Sequence, residues 1–367
     1  MPTTNTLQAF EVRRDQLAET RWVSEPLHAA ADGELLMRVD AFALTANNIT
    51  YGVAGDAIGY WQFFPAQDDA GRWGRIPVWG FGDVIESRVA GIATGQRFYG
   101  YFPMASHLRV RPERVTERGF TDAAAHRAAL PPVYNQYAAT AADPAYRADQ
   151  EAMQMLFRPL FTTSFILDDF LLDNDFFAAG TVVLSSASSK TSFGLAWLLH
   201  RNRRDNCRVI GLTSAEHVGF VRSLGCYDQV VTYDQLSTLP RERAVFVDMA
   251  GNSTVRAALH HHYHDLLAYS CGVGATHWDQ AQMRGNAPLP GPKPAMFFAP
   301  SQIQKRAREW GPAGMAERIA LAWTPFVADA AGWMAVRHER GAAAVAGLYQ
   351  DVLHNRARPS DGFILSI

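Results

Sequence analysis

The sequence predicts an α/β protein of two domains, one built on a doubly wound parallel sheet and the other β-rich. The first ground is length: 367 residues are too many for one ordinary core and about right for two. The second is a regular alternation of short β-branched runs with helically spaced apolar residues between Gly180 and Asp248. The third is a series of short strand-like runs before residue 110, broken by Gly and Pro, with no helical spacing among them.

Taken in order, Gly33 to Leu44 mixes alternation with a buried apolar run, as a strand entering a sheet would. Between Asn47 and Gly82 stand Tyr51, Tyr60, Trp61, Phe63, Phe64, Trp73 and Trp79, too many aromatics for a solvated linker and too much Gly and Pro for a helix. A packed irregular region is expected there. Residues 80–89, 95–101 and 105–110 read as three short strands, and from about residue 118 Ala-rich windows turn the expectation to helix, continuing through 158–171. Thr181 to Ser186 is a β run, Ser192 to His200 a helix and Cys207 to Leu212 a second β run, which together make one βαβ unit. A helix over 216–224 and strands over 229–233 and 244–248 continue the alternation.

Composition narrows the function classes. Hydrophobic residues make up 48% and charged residues 19%, the balance of a compact protein with a large core. A formal net charge of −2 argues against a nucleic-acid partner, which calls for a basic face, and leaves a small-molecule substrate as the expectation. The three cysteines, Cys207, Cys226 and Cys271, have neither disulfide-framework nor zinc-site spacing, which suits a reducing compartment. The start MPTTNTLQAFEVRRD lacks a basic segment followed by an apolar run, and no stretch stays apolar for the roughly 20 residues of a spanning helix. A cytoplasmic protein without a membrane partner is expected.

The segment Leu184 to Gly194 joins a buried strand to a helix through small residues. Ser185, Ser186, Ser188, Ser189, Lys190 and Thr191 would let a backbone approach a phosphate and would add hydroxyl donors and a charge at a helix start. The alternative is a Ser-rich turn with a serine N-cap, since the segment lacks every glycine of GxGxxG.

Residues 209–233 run as a strand, the pair Thr213-Ser214, a helix ending in Leu224-Gly225 and a strand ending in Tyr233. This resembles the second half of the cofactor domain of the medium-chain dehydrogenase/reductase superfamily. Gly33 to Leu44, Gly82 to Ser87, the turn Gly95-Gln96-Arg97-Phe98-Tyr99-Gly100 and Asp248 to Gly251 are similar to further parts of that family, so the resemblance covers roughly residues 30 to 280. The Ser-Ser-Lys-Thr loop and Val273 to Trp278 resemble a branch known as the domain-of-unknown-function family DUF2855. The resemblance implies a GroES-like catalytic domain from residues 1–145 and 300–367 and a Rossmann-type cofactor domain over 146–299. It further implies a zinc-independent quinone-oxidoreductase-like or enoyl-reductase-like enzyme that transfers hydride from NADPH to a carbonyl-bearing small molecule, and a homodimer.

Under this resemblance NADP(H) is the expected cofactor, because the second cofactor strand ends in Thr213-Ser214 with no acid before Glu216. Hydroxyl donors with Lys190 or His217 nearby suit a 2′-phosphate, although Ser214 as a plain N-cap fits as well. Val273 and Gly274 would run beside the nicotinamide. The loop Leu44 to Gly52 is similar to the quinone- and enoyl-reductase loop, which makes Tyr51 the expected proton donor, with Asn48 as its polar companion and Tyr60 and His107 as alternatives. Tyr51 as a plain core aromatic is the competing reading, and the neighbouring aromatics read equally as pocket wall or core. No metal is expected: there is no cysteine before Cys207, and His260 and His264, though spaced to share a helix face, read as an exposed surface cluster. A rival reading is a nucleotide-binding sensor or scaffold without turnover.

Overall fold

The computed structural model describes residues 6–68, 70–203, 207–273, 288–297 and 299–367. The chain divides into two compact units, Met1–Leu156 with Met334–Ile367, and Phe157–Trp333.

The first unit opens with β1 (Thr6–Arg13) and β2 (Gln16–Pro26), an antiparallel ribbon. Then come β3 (Leu35–Leu44), α1 (Ala46–Val53), α2 (Gly55–Ile58) and β4 (Trp73–Gly74), the last pairing with β1. They are followed by β5 (Pro77–Ser87), β6 (Arg97–Pro103), β7 (His107–Val110), β8 (Pro112–Thr116), β9 (Gly119–Asp122) and β10 (Gln136–Ala139). The aromatic stretch expected to be irregular therefore contains two short helices, α1 and α2, and the ribbon β1–β2 is an addition to the expected strands.

The helix expected from residue 118 is instead β9, several 3₁₀ turns and β10, with α-helix beginning only at Glu151. The cause is local. Gly119 sits at φ +136°, where a Cβ would lie 1.9 Å from the Tyr137 carbonyl oxygen, and Pro131-Pro132 interrupts the Ala-rich run.

The second unit takes in most of α3 (Glu151–Asp173) and then β11 (Thr181–Leu184), α4 (Lys190–Arg203), β12 (Arg208–Thr213), α5 (Val218–Ser223) and β13 (Gln229–Thr232). It continues through β14 (Ala244–Asp248), α6 (Ser253–Tyr263), β15 (Leu267–Gly272), β16 (Ala295–Met296) and α7 (Ala299–Trp333). Its six strands are all parallel, in the order β13-β12-β11-β14-β15-β16. The order reverses between β11 and β14, which opens a crevice at their carboxyl ends. Buried on both faces, β11 and β14 read as unbroken apolar runs, Thr-Val-Val-Leu and Ala-Val-Phe-Val.

The division of the chain falls at 156/157 and 333/334, where the sequence reading drew it at 145/146 and 299/300. Aromatic packing explains the later C-terminal boundary. Phe326 of α7 stacks on Phe161 of α3 at 4.4 Å, and Trp197 of α4 donates its indole N–H to Asp329 of α7 at 2.8 Å, so α7 belongs with the parallel sheet. The chain then returns to the first unit with β17 (Ala335–Arg340), α8 (Ala342–Leu353) and β18 (Asp361–Ser366). There β18 lies between β17 and β3, completing the sheet β17-β18-β3-β5-β6-β10-β9-β8. No helix among the described residues is long and apolar enough to cross a membrane.

Between α3 and α4, Asp168 is buried with Arg203 Nη2 at 3.3 Å, and burial lifts its carboxyl from the ordinary 3.8 to about 6. A carboxyl whose folded pKa is raised contributes stability below its unfolded pKa and loses it as pH rises through the folded value. Asp168→Asn is therefore expected to be more stable than the wild type at pH 8 by on the order of 2 kcal/mol. The gain should shrink as pH falls from 6 toward 4, and urea unfolding across that range checks it; an Asn variant no more stable at pH 8 contradicts it.

Candidate cofactor site and tyrosine cluster

At the carboxyl end of β11 the chain leaves the sheet through the serine loop. Ser185 is fully buried: its hydroxyl donates to Asp248 Oδ1 at 3.0 Å and accepts from the backbone N–H groups of Met249 and Ala250 at 2.8 and 3.3 Å. That hydroxyl is spent inside the protein, so Ser185 shapes the loop and offers a ligand no side-chain donor. Ser186 has φ +48°, a left-handed conformation in which glycine is the usual residue, and its N–H donates to the Tyr233 hydroxyl at 2.9 Å. Ala187 is pinned on both sides, donating to the Leu212 carbonyl and accepting from the Tyr227 hydroxyl, each at 2.9 Å.

The remaining loop residues lie at the surface end. Ser188, Ser189, Lys190 and Thr191 are half-buried; the Ser188 hydroxyl lies 3.3 Å from His217 Nδ1, and the Ser189 N–H closes a tight turn onto the Ser186 carbonyl at 2.7 Å. Lys190 opens α4 with its ammonium 5.9 Å from the centre of the Phe157 ring. Thr191 is held by its carbonyl, which accepts from the Ser164 hydroxyl at 2.8 Å.

The neighbouring strand ends complete this edge. Thr213 closes β12 with its hydroxyl buried and without a hydrogen-bond partner among the described residues. Ser214 begins the next turn, its carbonyl accepting from the His217 N–H at 3.1 Å and its hydroxyl reaching Glu216 at 3.4 Å. At the end of β14, burial raises the Asp248 carboxyl while the Ser185 hydroxyl, the Gly251 and Ala250 N–H groups and Arg256 hold it down. Val273 is buried, its N–H donating to the Asp248 carbonyl at 2.9 Å; Gly274 lies outside the described residues. Tyr233 and Asp248 are the members of this edge that sequence reasoning did not assign a role, although the strand-terminal Tyr was visible as a pattern.

In the first unit, Tyr51 is buried on α1 and its phenolic oxygen accepts from Asn47 Nδ2 at 2.7 Å. The expected companion, Asn48, is occupied elsewhere. Its Oδ1 accepts from the N–H and hydroxyl of Thr45 at 2.8 and 3.0 Å, and its amide donates to the Pro77 carbonyl at 2.9 Å, so it caps α1 and ties it to β5. Tyr51 packs against Tyr60 with ring centres 4.4 Å apart, and Tyr101 and Tyr134 complete a cluster in which the Tyr60 and Tyr134 hydroxyls are 3.1 Å apart. Burial pushes all four hydroxyls above their ordinary value, so each keeps its proton at neutral pH. The base of the cluster is fixed by a buried ion pair, Arg127 with Asp122 at 3.1 Å, whose guanidinium also donates to the Phe63 carbonyl at 3.2 Å. Trp61, Phe63 and Phe64 are core, while His107 lies on β7 with Nδ1 2.9 Å from the Ser106 hydroxyl.

The histidine cluster is differently placed from its expected exposed face. His260 is fully buried: Nδ1–H donates to the Pro290 carbonyl at 2.8 Å, which leaves Nε2 to accept from the Ser270 hydroxyl at 2.9 Å. Burial lowers its pKa, in keeping with a neutral ring, and α6 ends at Tyr263, so His264 at φ +47° lies beyond the helix. No group of three or more His, Cys, Asp or Glu side chains suited to a metal ion occurs among the described residues. The three cysteines are buried thiols, each pushed up by burial to about 12.

Comparison with protein families matches residues 42–358 to the family described as "Protein of unknown function (DUF2855)". No curated protein matches the sequence significantly. Among solved structures, the yhdH oxidoreductase from Salmonella enterica in complex with NADP is 15% identical, with TM-score 0.55 over 98% of this chain and 99% of that one. CurA in complex with NADPH from Vibrio vulnificus is 13% identical, with TM-score 0.59 over 98% of each chain. A mutant enoyl thioester reductase from Candida tropicalis is 14% identical, with TM-score 0.56 over 99% of this chain and 100% of that one. At these identities the likeness is one of fold, and that fold, a Rossmann-like parallel sheet with a β-rich domain, is the medium-chain dehydrogenase/reductase fold.

The Ser185 hydroxyl has three partners in a buried setting, so Ser185→Ala is expected to cost about 1 to 3 kcal/mol by leaving the Asp248 carboxyl one donor short and the Met249 N–H without its partner. Urea unfolding of the variant measures this; a loss below about 0.5 kcal/mol would mean that water or rearrangement replaces the hydroxyl.

Proposed function

This chain belongs to the DUF2855 family, and we propose that it is an NADP(H)-dependent reductase that transfers hydride to a small quinone, enone or other carbonyl-bearing compound. The observation that carries the reading is Thr213. In sheets of this strand order the second strand ends beside the adenosine ribose, and an acid there would repel a 2′-phosphate. Here the position holds a buried hydroxyl lacking a partner among the described residues, followed by Ser214 and, three residues on, by His217. These residues fit NADP(H). Ser186, Ser188, Ser189, Lys190 and Thr191 would face its phosphates, with Thr213, Ser214 and the Tyr233 hydroxyl toward the 2′-phosphate and Val273 toward the nicotinamide.

When bound, the cofactor supplies the hydride. The protein's own part is to hold that cofactor, exclude water and deliver a proton. Tyr51, protonated at neutral pH, is assigned the proton, and Asn47 takes the companion role expected of Asn48, because its amide donates to the phenolic oxygen and leaves the Tyr51 O–H directed elsewhere. The similar folds that bind NADP or NADPH support this reading. Among the described residues β16 is the last strand of the parallel sheet, and such an edge supports a homodimer by strand pairing with a second copy.

Titration with NADPH and NADH, followed by tryptophan fluorescence, should show tighter binding of NADPH, weakened about tenfold in Lys190→Ala. Binding of neither cofactor would overturn the reading, and binding without turnover of any quinone, enone or aldehyde would favour the sensor alternative. Tyr51→Phe should lower kcat by about 100-fold or more while leaving NADPH affinity intact. A monomeric mass in solution would remove the homodimer.

A further inference from the structure

Three hydrogen-bond donors converge on the Tyr51 oxygen. Asn47 stands one turn earlier on α1 and donates from Nδ2 at 2.7 Å. Trp79 and Tyr101 face each other across β5 and β6 as a register pair, with ring centres 5.0 Å apart. The Trp79 indole N–H and the Tyr101 hydroxyl make looser hydrogen bonds to the same oxygen. A phenol that keeps its own proton has two lone pairs, so three donors cannot all pair closely with it at once. A phenolate has a third lone pair and a charge, so it can take all three and holds each roughly twice as strongly. The arrangement is therefore complementary to ionised Tyr51 and only partly satisfied by the neutral form. Donors set in advance where charge will develop, and tightening only when it does, are the pattern of electrostatic stabilisation at a reacting group.

We propose that Asn47, Trp79 and Tyr101 form a cradle that stabilises the tyrosinate left when Tyr51 gives up its proton, which makes Trp79 and Tyr101 positioning residues for the proton-transfer step. This rests on the reductase reading for what takes the proton. In that step the Tyr51 O–H bond breaks with its electron pair staying on oxygen, the proton joins the substrate atom made basic by hydride addition, and water later returns a proton to Tyr51. No charged group is among the influences on the Tyr51 hydroxyl, so neutral donors alone offset the burial that opposes its ionisation. The same network singles out Tyr51 from its neighbours. The Tyr60 and Tyr134 hydroxyls pair with each other at 3.1 Å and the Tyr101 hydroxyl donates to Tyr51, so of the four only Tyr51 collects several donors. Asn48 bonds to Thr45 and to the Pro77 carbonyl, which ties α1 to β5 and keeps the Asn47–Tyr51 pair in register with the Trp79–Tyr101 pair.

The test uses the full chain with 3,5-difluorotyrosine in place of Tyr51, because a fluorinated phenol ionises in a pH range the fold tolerates and its ¹⁹F signal reports the change. Tyr101→Phe and Trp79→Phe, made separately in that background, should each raise the ionisation midpoint by about one unit, a tenfold loss of acidity. Tyr134→Phe is the control: its hydroxyl belongs to the same cluster but opposes the ionisation of Tyr51, so the midpoint should stay or fall. A general loosening of the packing would move all three variants alike. Tyr101→Phe removes one oxygen and no carbon, so it decides the case if Trp79→Phe does not fold. A midpoint unmoved by Tyr101→Phe, or raised equally by Tyr134→Phe, would overturn the proposal. Where a carbonyl compound is turned over, Tyr101→Phe with native Tyr51 should lower kcat about tenfold and leave KM for NADPH unchanged. Turnover that needs Tyr51, with a midpoint indifferent to Tyr101→Phe, removes the cradle and keeps the reductase reading; a shifted midpoint in a chain that does not bind NADPH does the reverse.

Discussion

The Ser185 hydroxyl ties the two strands flanking the reversal point of the sheet, β11 and β14, and the loop beyond takes its shape from that tie. A crevice between diverging strands exposes backbone groups at its floor, and here one hydroxyl and one carboxylate satisfy them. Asp248 accepts from Ser185, Ala250 and Gly251 and is balanced by Arg256 at 3.3 Å. With the floor fixed, the loop does without the glycines usual at such a turn. Ser186 carries the left-handed conformation at a cost on the order of 1 to 2 kcal/mol. It is held by the Tyr233 hydroxyl, and its neighbours by the hydroxyls of Tyr227 and Ser192, the last donating to the Ser185 carbonyl at 3.1 Å. Polar side chains do here what backbone freedom does in a glycine-rich loop.

The tyrosine cluster follows the opposite design. At the crevice floor the Ser185 hydroxyl and the Asp248 carboxylate are each bonded several times, whereas the cluster keeps four protonated hydroxyls and an indole in an apolar setting. Such a set of weakly paired groups is costly to maintain in a core made largely of Phe, Val and Leu, and α1 is stabilised separately to carry it, by Asn48 bonding to Thr45 and Pro77.

Much of the parallel sheet was legible because its strands are buried on both faces and therefore appear as short unbroken runs of β-branched residues. The ribbon β1–β2 was not, because Gln16 to Pro26 is half-exposed on both sides and carries no apolar periodicity. The Ala-rich stretch after residue 118 misled because alanine favours helix wherever nothing prevents it, and what prevents it there is the close approach of Gly119 to Tyr137. Within the candidate site the residue types were legible and their directions were not. Neighbouring positions on a helix point about 100° apart, which is the whole difference between Asn47, bonded to Tyr51, and Asn48, bonded to Thr45 and Pro77. Likewise nothing in a row of serines tells that Ser185 faces inward while Ser188 lies beside His217.

The placement of β18 between β17 and β3 has a consequence for how the molecule comes into being. Leu44 pairs with Phe363, so during synthesis the Phe42–Leu44 end of β3, the part of that edge not covered by β7, must wait until the entire parallel-sheet unit has been made. Through that interval the nascent first unit is an open sheet of Phe, Val and Leu, the kind of surface that chaperones bind and that neighbouring chains can pair with by mistake. The parallel-sheet unit, continuous in sequence from 157 to 333, has no such wait and can fold while its flanking halves are still apart.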